Sequence, residues 1–64
     1  MIEITYKDGT IDAFEIYSES KTHITWIDYA QNMVRINKLT GRVSLHHEQE
    51  WIDYNASIIS YKKL

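Results

Sequence analysis

The sequence has 64 residues, a formal net charge of −2, an apolar fraction of 44% and no cysteine. This length predicts one small domain over residues 1–64, and the lack of cysteine excludes both a disulfide framework and a thiolate metal site. The apolar fraction argues against disorder, no apolar run reaches the roughly 18 residues of a membrane span, and the first residues do not read as a secretory leader, so we expect a folded cytoplasmic protein.

The charges are segregated along the chain. Residues 1–20 hold five acidic residues against one lysine, whereas residues 21–47 hold four lysines or arginines against one aspartate. Blocks of this kind give two electrically distinct surfaces, which suit the docking of a charged partner or of a second copy of the chain. Solvated outer faces of strands produce the same pattern, so the segregation alone does not decide between these interpretations.

The first hairpin is predicted by alternation on both sides of an Asp-Gly pair. Apolar and polar side chains alternate from Ile2 to Lys7, which is the two-residue period of a strand with one buried face. Asp8-Gly9 follows, and this pair between alternating runs is the strongest short-range hairpin signal. A second strand should therefore return from about Ile11 to Tyr17, with Phe14 and Ile16 facing the core.

The next predicted strand, from Thr22 to Tyr29, is apolar on both faces. The first face carries Ile24 and Trp26. The second face carries Ile27 and Tyr29. A strand of this kind is typical of the centre of a sheet, or of a sheet whose second face is covered.

The residues from Met33 to His46 are the clearest hairpin in the sequence. Val34 and Ile36 form the apolar face of its first arm. Val43 and Leu45 form the matching face of its second arm. The intervening residues 38–41 end in glycine, which suits a type I turn closed by a left-handed position that only glycine adopts at low energy.

The last part of the sequence supports two interpretations. Trp-Ile-Asp-Tyr occurs at Trp26–Tyr29 and again at Trp51–Tyr54, and the first copy leads through a turn to a strand. The second copy then predicts a short strand near Glu50 to Tyr54 and a last strand near Ile58 to Lys63. A C-terminal helix from about residue 48, with acidic residues early in it, is the alternative.

Short strands joined by tight turns predict an all-β fold, namely a small antiparallel meander of five to six strands. So small a sheet must curl into an SH3-like barrel, or form a single curled sheet whose open face packs on a partner. If the C-terminal helix forms, the class is instead α+β.

Few side chains in this sequence could carry out chemistry. His46, His47 and Glu48 are the one cluster of metal-capable residues, but neighbouring residues on a strand point to opposite faces, so the two histidines cannot easily share an ion. His23 is a further candidate ligand. Without a Gly-rich phosphate loop or a nucleophile elbow, we expect no catalytic residues, no metal, no cofactor and no small-molecule substrate.

The best candidate for a binding surface is the face of the central strands opposite the core. Tyrosine, methionine and arginine are enriched at the centres of protein interfaces, and the alternation places these types together on that face. The predicted binding residues are Ile27, Tyr29, Met33, Arg35 and Arg42. Both tryptophans, Trp26 and Trp51, are predicted for the core, because so small a core needs large side chains.

The favoured hypothesis is a non-enzymatic module that binds another protein, or itself as a homodimer. It would act as an inhibitor or adaptor that occludes its partner, a character typical of small proteins encoded by phages and other mobile elements. One alternative is a nucleic-acid-binding SH3-like or OB-like module that uses the same face, although the overall acidity counts against it. The other is an accessory enzyme or metal protein that uses one of the histidines.

Overall fold

Eight antiparallel β-strands make up the computed structural model, which describes every residue except 55–57 and the side chain of residue 59. The strands are β1 (Ile2–Tyr6), β2 (Ile11–Phe14), β3 (Ile16–Glu19), β4 (His23–Ile27), β5 (Met33–Asn37), β6 (Val43–His47), β7 (Glu50–Asp53) and β8 (Ile58–Lys63). One sheet has three strands in the order β2-β1-β8, and the other has five in the order β3-β4-β5-β6-β7. The predicted all-β antiparallel meander is confirmed.

Several details differ from the expectation. The strands number eight rather than five or six, and they form two sheets rather than a closed barrel or one curled sheet. The two strands predicted after residue 48 are present as β7 and β8, so the alternative with a C-terminal helix is wrong. Nothing in the described part of the chain forms a helix that is long and apolar enough to cross a membrane.

The strand predicted from Ile11 to Tyr17 divides at Glu15. β2 ends at Phe14 on the edge of the smaller sheet, and β3 begins at Ile16 on the edge of the larger one. Phe14 is buried and Ile16 packs against the core, as the alternation predicts. The chain passes from the smaller sheet to the larger one at the exposed Glu15. Phe14 and Ile16 therefore face the same core from different sheets.

One core lies between the two sheets and is filled by alternate residues of the strands. Trp26 of β4 is 1% exposed, and its ring centroid lies 6.2 Å from that of Phe14 on the opposite sheet. The prediction of Trp26 as a core residue is confirmed. Burial of each aliphatic side chain contributes about 1.5–3 kcal/mol, and these side chains hold the two sheets together. The buried apolar residues are Ile2, Ile4, Phe14, Ile24, Trp26, Val34, Ile36, Val43, Leu45 and Ile58.

Glycines at positive φ close two of the hairpins. Gly9 has a φ of 89°, and its N–H donates to the carbonyl oxygen of Tyr6. Gly41 has a φ of 75°, and its N–H donates to the carbonyl oxygen of Asn37. A residue with a Cβ is strained at such angles, whereas glycine is not. Both glycines lie in turns that the sequence predicts.

The turn between β6 and β7 reaches the same backbone region without glycine. Glu48 and Gln49 have φ values of 50° and 67°, and His47 pairs with Glu50 on either side of them. Two consecutive residues at positive φ define the type I′ turn, for which Asn-Gly is the usual sequence. The turn therefore stores backbone strain while it fixes the register of β7 against β6.

Glu19 at the end of β3 joins two distant segments. Its Oε2 accepts hydrogen bonds from the Nζ of Lys38, in the turn after β5, and from the Nζ of Lys63, at the end of β8. These two ammonium groups lower the pKa of the Glu19 carboxyl. Exposed ion pairs of this kind contribute little to stability and are screened by salt, so Glu19 orients the sheet edges more than it stabilises them.

The strain in the β6–β7 turn predicts that Glu48→Asn combined with Gln49→Gly stabilises the protein. Asparagine and glycine adopt positive φ at lower energy, so we expect the free energy of unfolding to rise by about 1 kcal/mol. Urea unfolding followed by circular dichroism measures the change. Leu39→Gly is the control, because this exposed turn residue has no positive φ to relieve and glycine should lower stability there. A loss of stability in the double variant would contradict the strained turn.

Candidate functional site on the outer face of the larger sheet

The outer face is the face of the five-stranded sheet that points away from the core. Its residues alternate along each strand with the buried ones, and the strand register arranges them in three rows that cross the strands. The first row is Ile27, Met33, His46 and Trp51, the second row is Thr25, Arg35, Ser44 and Asp53, and the third row is His23, Asn37 and Arg42.

Trp51 is the largest side chain of the first row, and two neighbours hold it. The Arg35 guanidinium carbon lies 3.9 Å from the centroid of the Trp51 ring. The His46 ring meets the Trp51 ring edge-on, with 5.0 Å between the centroids. A cation over an indole face is attracted by the ring quadrupole, which contributes about 0.5–1 kcal/mol at exposed sites. Trp51 is nevertheless 37% exposed, so much of its surface is open to a partner.

The prediction that Trp51 belongs to the core is wrong, and the turn before it explains why. A two-residue turn makes His47 and Glu50 direct neighbours, so the next pair is His46 with Trp51. Leu45 faces the core, and His46 therefore faces outward together with Trp51. A turn longer by one residue would have placed Trp51 on the core face.

The guanidinium of Arg35 stacks on Trp51 and has one hydrogen-bond donor without a partner in the described part of the chain. Its Nε is buried and has no hydrogen-bond partner among the described residues. An unpaired buried donor costs about 1–3 kcal/mol, and such groups in native structures call for an explanation. A guanidinium that is oriented by an aromatic ring and keeps an unpaired donor is suited to bind an anion.

The structure brings together three of the five predicted binding residues. Ile27 and Met33 are paired in the first row, and Arg35 lies in the second row beside them. Arg42 is exposed and lies in the third row, opposite Asn37, at the end of the same face.

Tyr29 does not lie on the outer face, so its predicted position there is wrong. β4 ends at Ile27, and the Asp28 carboxylate accepts hydrogen bonds from the backbone N–H groups of Ala30 and Asn32. This turn ends the strand alternation before Tyr29, whose ring centroid lies 5.0 Å from that of Phe14. Tyr29 therefore lies at the edge of the core, next to Phe14, and is 74% exposed.

Tyr17 extends the first row toward β3, a contribution that the sequence does not predict. The register of β3 against β4 shifts between Ile16 and Ser18, so Tyr17 occupies a bulge and is 64% exposed. Together with Ile27 it lines an open cleft of about 340 Å³.

His46 faces outward because it alternates with Leu45, although it is not among the predicted binding residues. The position of Trp51 depends on the two-residue turn at Glu48 and Gln49, which the sequence does not predict.

The formally charged groups of the outer face are two arginines and one carboxylate. Arg35, Arg42 and Asp53 lie in the three rows together with two histidines, His23 and His46. His47 points away from this face, with its Nε2 3.8 Å from a Glu48 carboxylate oxygen. In the described part of the chain, no three histidine or carboxylate side chains come close enough to hold a metal ion. The chemistry available on this face is therefore apolar contact, aromatic stacking and cationic hydrogen bonding.

A second open cleft, of about 350 Å³, is lined by Tyr6, Lys7, Asp8 and Tyr54. Burial, together with the nearby Asp12 carboxylate that accepts a hydrogen bond from the Tyr6 hydroxyl, raises the pKa of Tyr6 to about 12. Each of these effects disfavours the phenolate. Tyr6 is therefore a neutral structural donor at physiological pH.

The Tyr6 environment predicts an alkaline limit to stability. The pKa of Tyr6 is higher in the folded state than the ordinary value of 10. The contribution of neutral Tyr6 to the free energy of unfolding is therefore complete below pH 10 and is lost as the pH rises through 12. Absorbance titration of the tyrosines should show one late step, which Tyr6→Phe removes and Tyr17→Phe leaves in place. A late step that survives in the Tyr6 variant would contradict this assignment.

No protein-family model, curated protein or solved structure matches the chain at a significant level. The function is accordingly argued from the geometry of the outer face.

The contact between Arg35 and Trp51 is tested by a double-mutant cycle. Arg35→Gln and Trp51→Leu each remove one partner, and the cycle should give a coupling energy of about 0.5–1 kcal/mol in urea unfolding. Arg42→Gln with Trp51→Leu is the matched control, since Arg42 lies two rows from Trp51 and should give a coupling close to zero. Equal coupling in the two cycles would show that Arg35 does not pack on Trp51.

Proposed function

We propose that this chain is a non-enzymatic protein-binding module that acts as an inhibitor or adaptor by covering part of a larger protein. The observation that carries the proposal is the first row of the outer face, where Trp51 is 37% exposed, shares the row with Met33 and is oriented by Arg35. Tryptophan, methionine and arginine are the residue types that dominate interface centres, whereas lysine and glutamate are depleted there.

The position of the outer face supports this role. Its rows cross β4, β5 and β6, which are paired on both sides and form the rigid centre of the sheet. Pairing already orders the backbone of these strands, so little further backbone freedom is lost on binding, which lowers the entropic cost of association. The face is therefore pre-organised for a partner.

Size favours occlusion as the mechanism. The chain exposes 4487 Å², and a standard interface buries about 800 Å² on each partner, which is about one fifth of that surface. A protein this small can cover the outer face against a larger one and block a site there by its bulk. Both clefts are open at the surface, whereas sites for small molecules enclose most of their ligand, so an enzymatic role is not proposed. A chain without cysteine suits the reducing cytoplasm.

Photo-crosslinking in an extract of the native host tests the proposal. Benzoylphenylalanine replaces His46 in the first row, and the control carries it at the exposed Ser60 on the smaller sheet. We expect a discrete protein adduct from position 46 that is absent from position 60. An adduct with twice the mass of the chain would identify a second copy as the partner.

Two results would contradict the proposal. Equal labelling from positions 46 and 60 would mean that the outer face has no special affinity for protein. An adduct that disappears on nuclease treatment would favour nucleic-acid binding by the same face, with Trp51 as a platform for base stacking.

A further inference from the structure

We propose that the partner segment on the outer face is an extended acidic strand of another protein. Two of its carboxylates, two residues apart, bind Arg35 and Arg42, and an apolar side chain two residues further on rests against the first row. This inference rests on the proposed function and specifies the chemistry of the partner.

The spacing of the rows determines the sequence pattern of the partner segment. Arg42 lies in the third row, Arg35 in the second, and Met33 in the first, so adjacent rows are two residues apart along the strands. Two residues of a strand span about 6.6–6.8 Å, and side chains of an extended peptide that face one way repeat at the same distance. A peptide aligned with β5 therefore presents its side chains i, i+2 and i+4 to the three rows in turn.

The state of Arg35 favours a carboxylate at the middle position. Trp51 covers one face of the guanidinium and leaves the donors in its plane to hydrogen-bond with an approaching group. A carboxylate in that plane binds through two parallel N–H donors, the strongest geometry that arginine offers. The Nε–H of Arg35 has no hydrogen-bond partner among the described residues, so the guanidinium keeps an unused donor beside this position.

The charge of the outer face favours an acidic partner over a basic one. Arg35 and Arg42 stand in adjacent rows of this face. Asp53 also lies on this face, and the chain as a whole carries a net charge of −2, so the face lacks the dense positive charge of a nucleic-acid binder. A short acidic peptide needs only the two arginines.

A second copy of the chain is a poor occupant. Residues 48–52 contain the required order, with acids at Glu48 and Glu50 and an apolar residue at Ile52. Positive φ values at Glu48 and Gln49 fold this segment into the β6–β7 turn, so it cannot lie extended on another copy. The occupant is therefore assigned to a different protein.

The test uses a capped synthetic peptide, Glu-Thr-Glu-Thr-Ile, titrated into the ¹⁵N-labelled protein. The Trp51 indole N–H and Arg35 Nε–H signals should move, while the buried Trp26 indole signal stays in place as an internal control. Two control peptides separate charge from spacing. Gln-Thr-Gln-Thr-Ile keeps the shape without charge, and Glu-Glu-Thr-Thr-Ile keeps the charge with adjacent acids. The first control should bind about a hundredfold more weakly because it loses both carboxylate–arginine pairs, and the second control about tenfold more weakly because it loses one.

Protein variants locate the contact. Arg35→Gln and Arg42→Gln should each weaken the first peptide about tenfold. Lys62→Gln removes one positive charge from the smaller sheet and should leave the affinity unchanged within about twofold. Dispersed spectra of all variants establish that they are folded.

Several results would overturn the inference. These are equal binding of the three peptides, no binding of the first peptide, or tighter binding of an oligothymidylate that Arg35→Gln abolishes. If position 46 still crosslinks to a protein in the host extract, the partner chemistry is wrong and the proposed function stands. If neither experiment shows binding to the outer face, both proposals fail.

Discussion

Strand register is the constraint on which both sides of the larger sheet depend. Side chains alternate with a period of two, so each pairing decides which residues fill the core and which face outward. The two residues at positive φ between β6 and β7 set the last pairing, which places Trp51 beside His46 on the outer face rather than on the core face. The same pairing thus specifies both the core and the outer face. The backbone strain of this turn accompanies the register that exposes Trp51.

The core needs only one face of each sheet, and this leaves the other face of the larger sheet free to acquire a different composition. Packing around Trp26 holds the sheets together, and the pairing of β4, β5 and β6 on both sides fixes the backbone that carries their outward side chains. Arg35 connects the two requirements, because its stem belongs to a central strand and its guanidinium orients Trp51. Stability is therefore carried by one face of these strands, and the proposed binding surface is the opposite face.

Most of the local structure could be predicted from the sequence, because alternation and turn glycines are signals confined to a few neighbouring residues. Gly9 and Gly41 mark their hairpins correctly, and Ile27, Met33 and Arg35 reach the predicted face. Longer-range properties could not be predicted in this way. The break at Glu15 depends on which sheet each half joins, Tyr29 leaves the face because Asp28 starts a turn, and Trp51 is misplaced because Glu-Gln is not a recognised turn sequence.

The central claim is that Trp51 lies on an accessible outer face while Trp26 lies in the core. A soluble nitroxide added to the ¹⁵N-labelled protein tests it directly, because the probe broadens the signals of atoms that it can approach. We expect strong broadening of the Trp51 indole N–H and of the Met33 and His46 signals, with the Trp26 indole unaffected and slow to exchange with deuterium. Equal protection of the two indoles would place Trp51 in the core and remove the outer face as a binding surface.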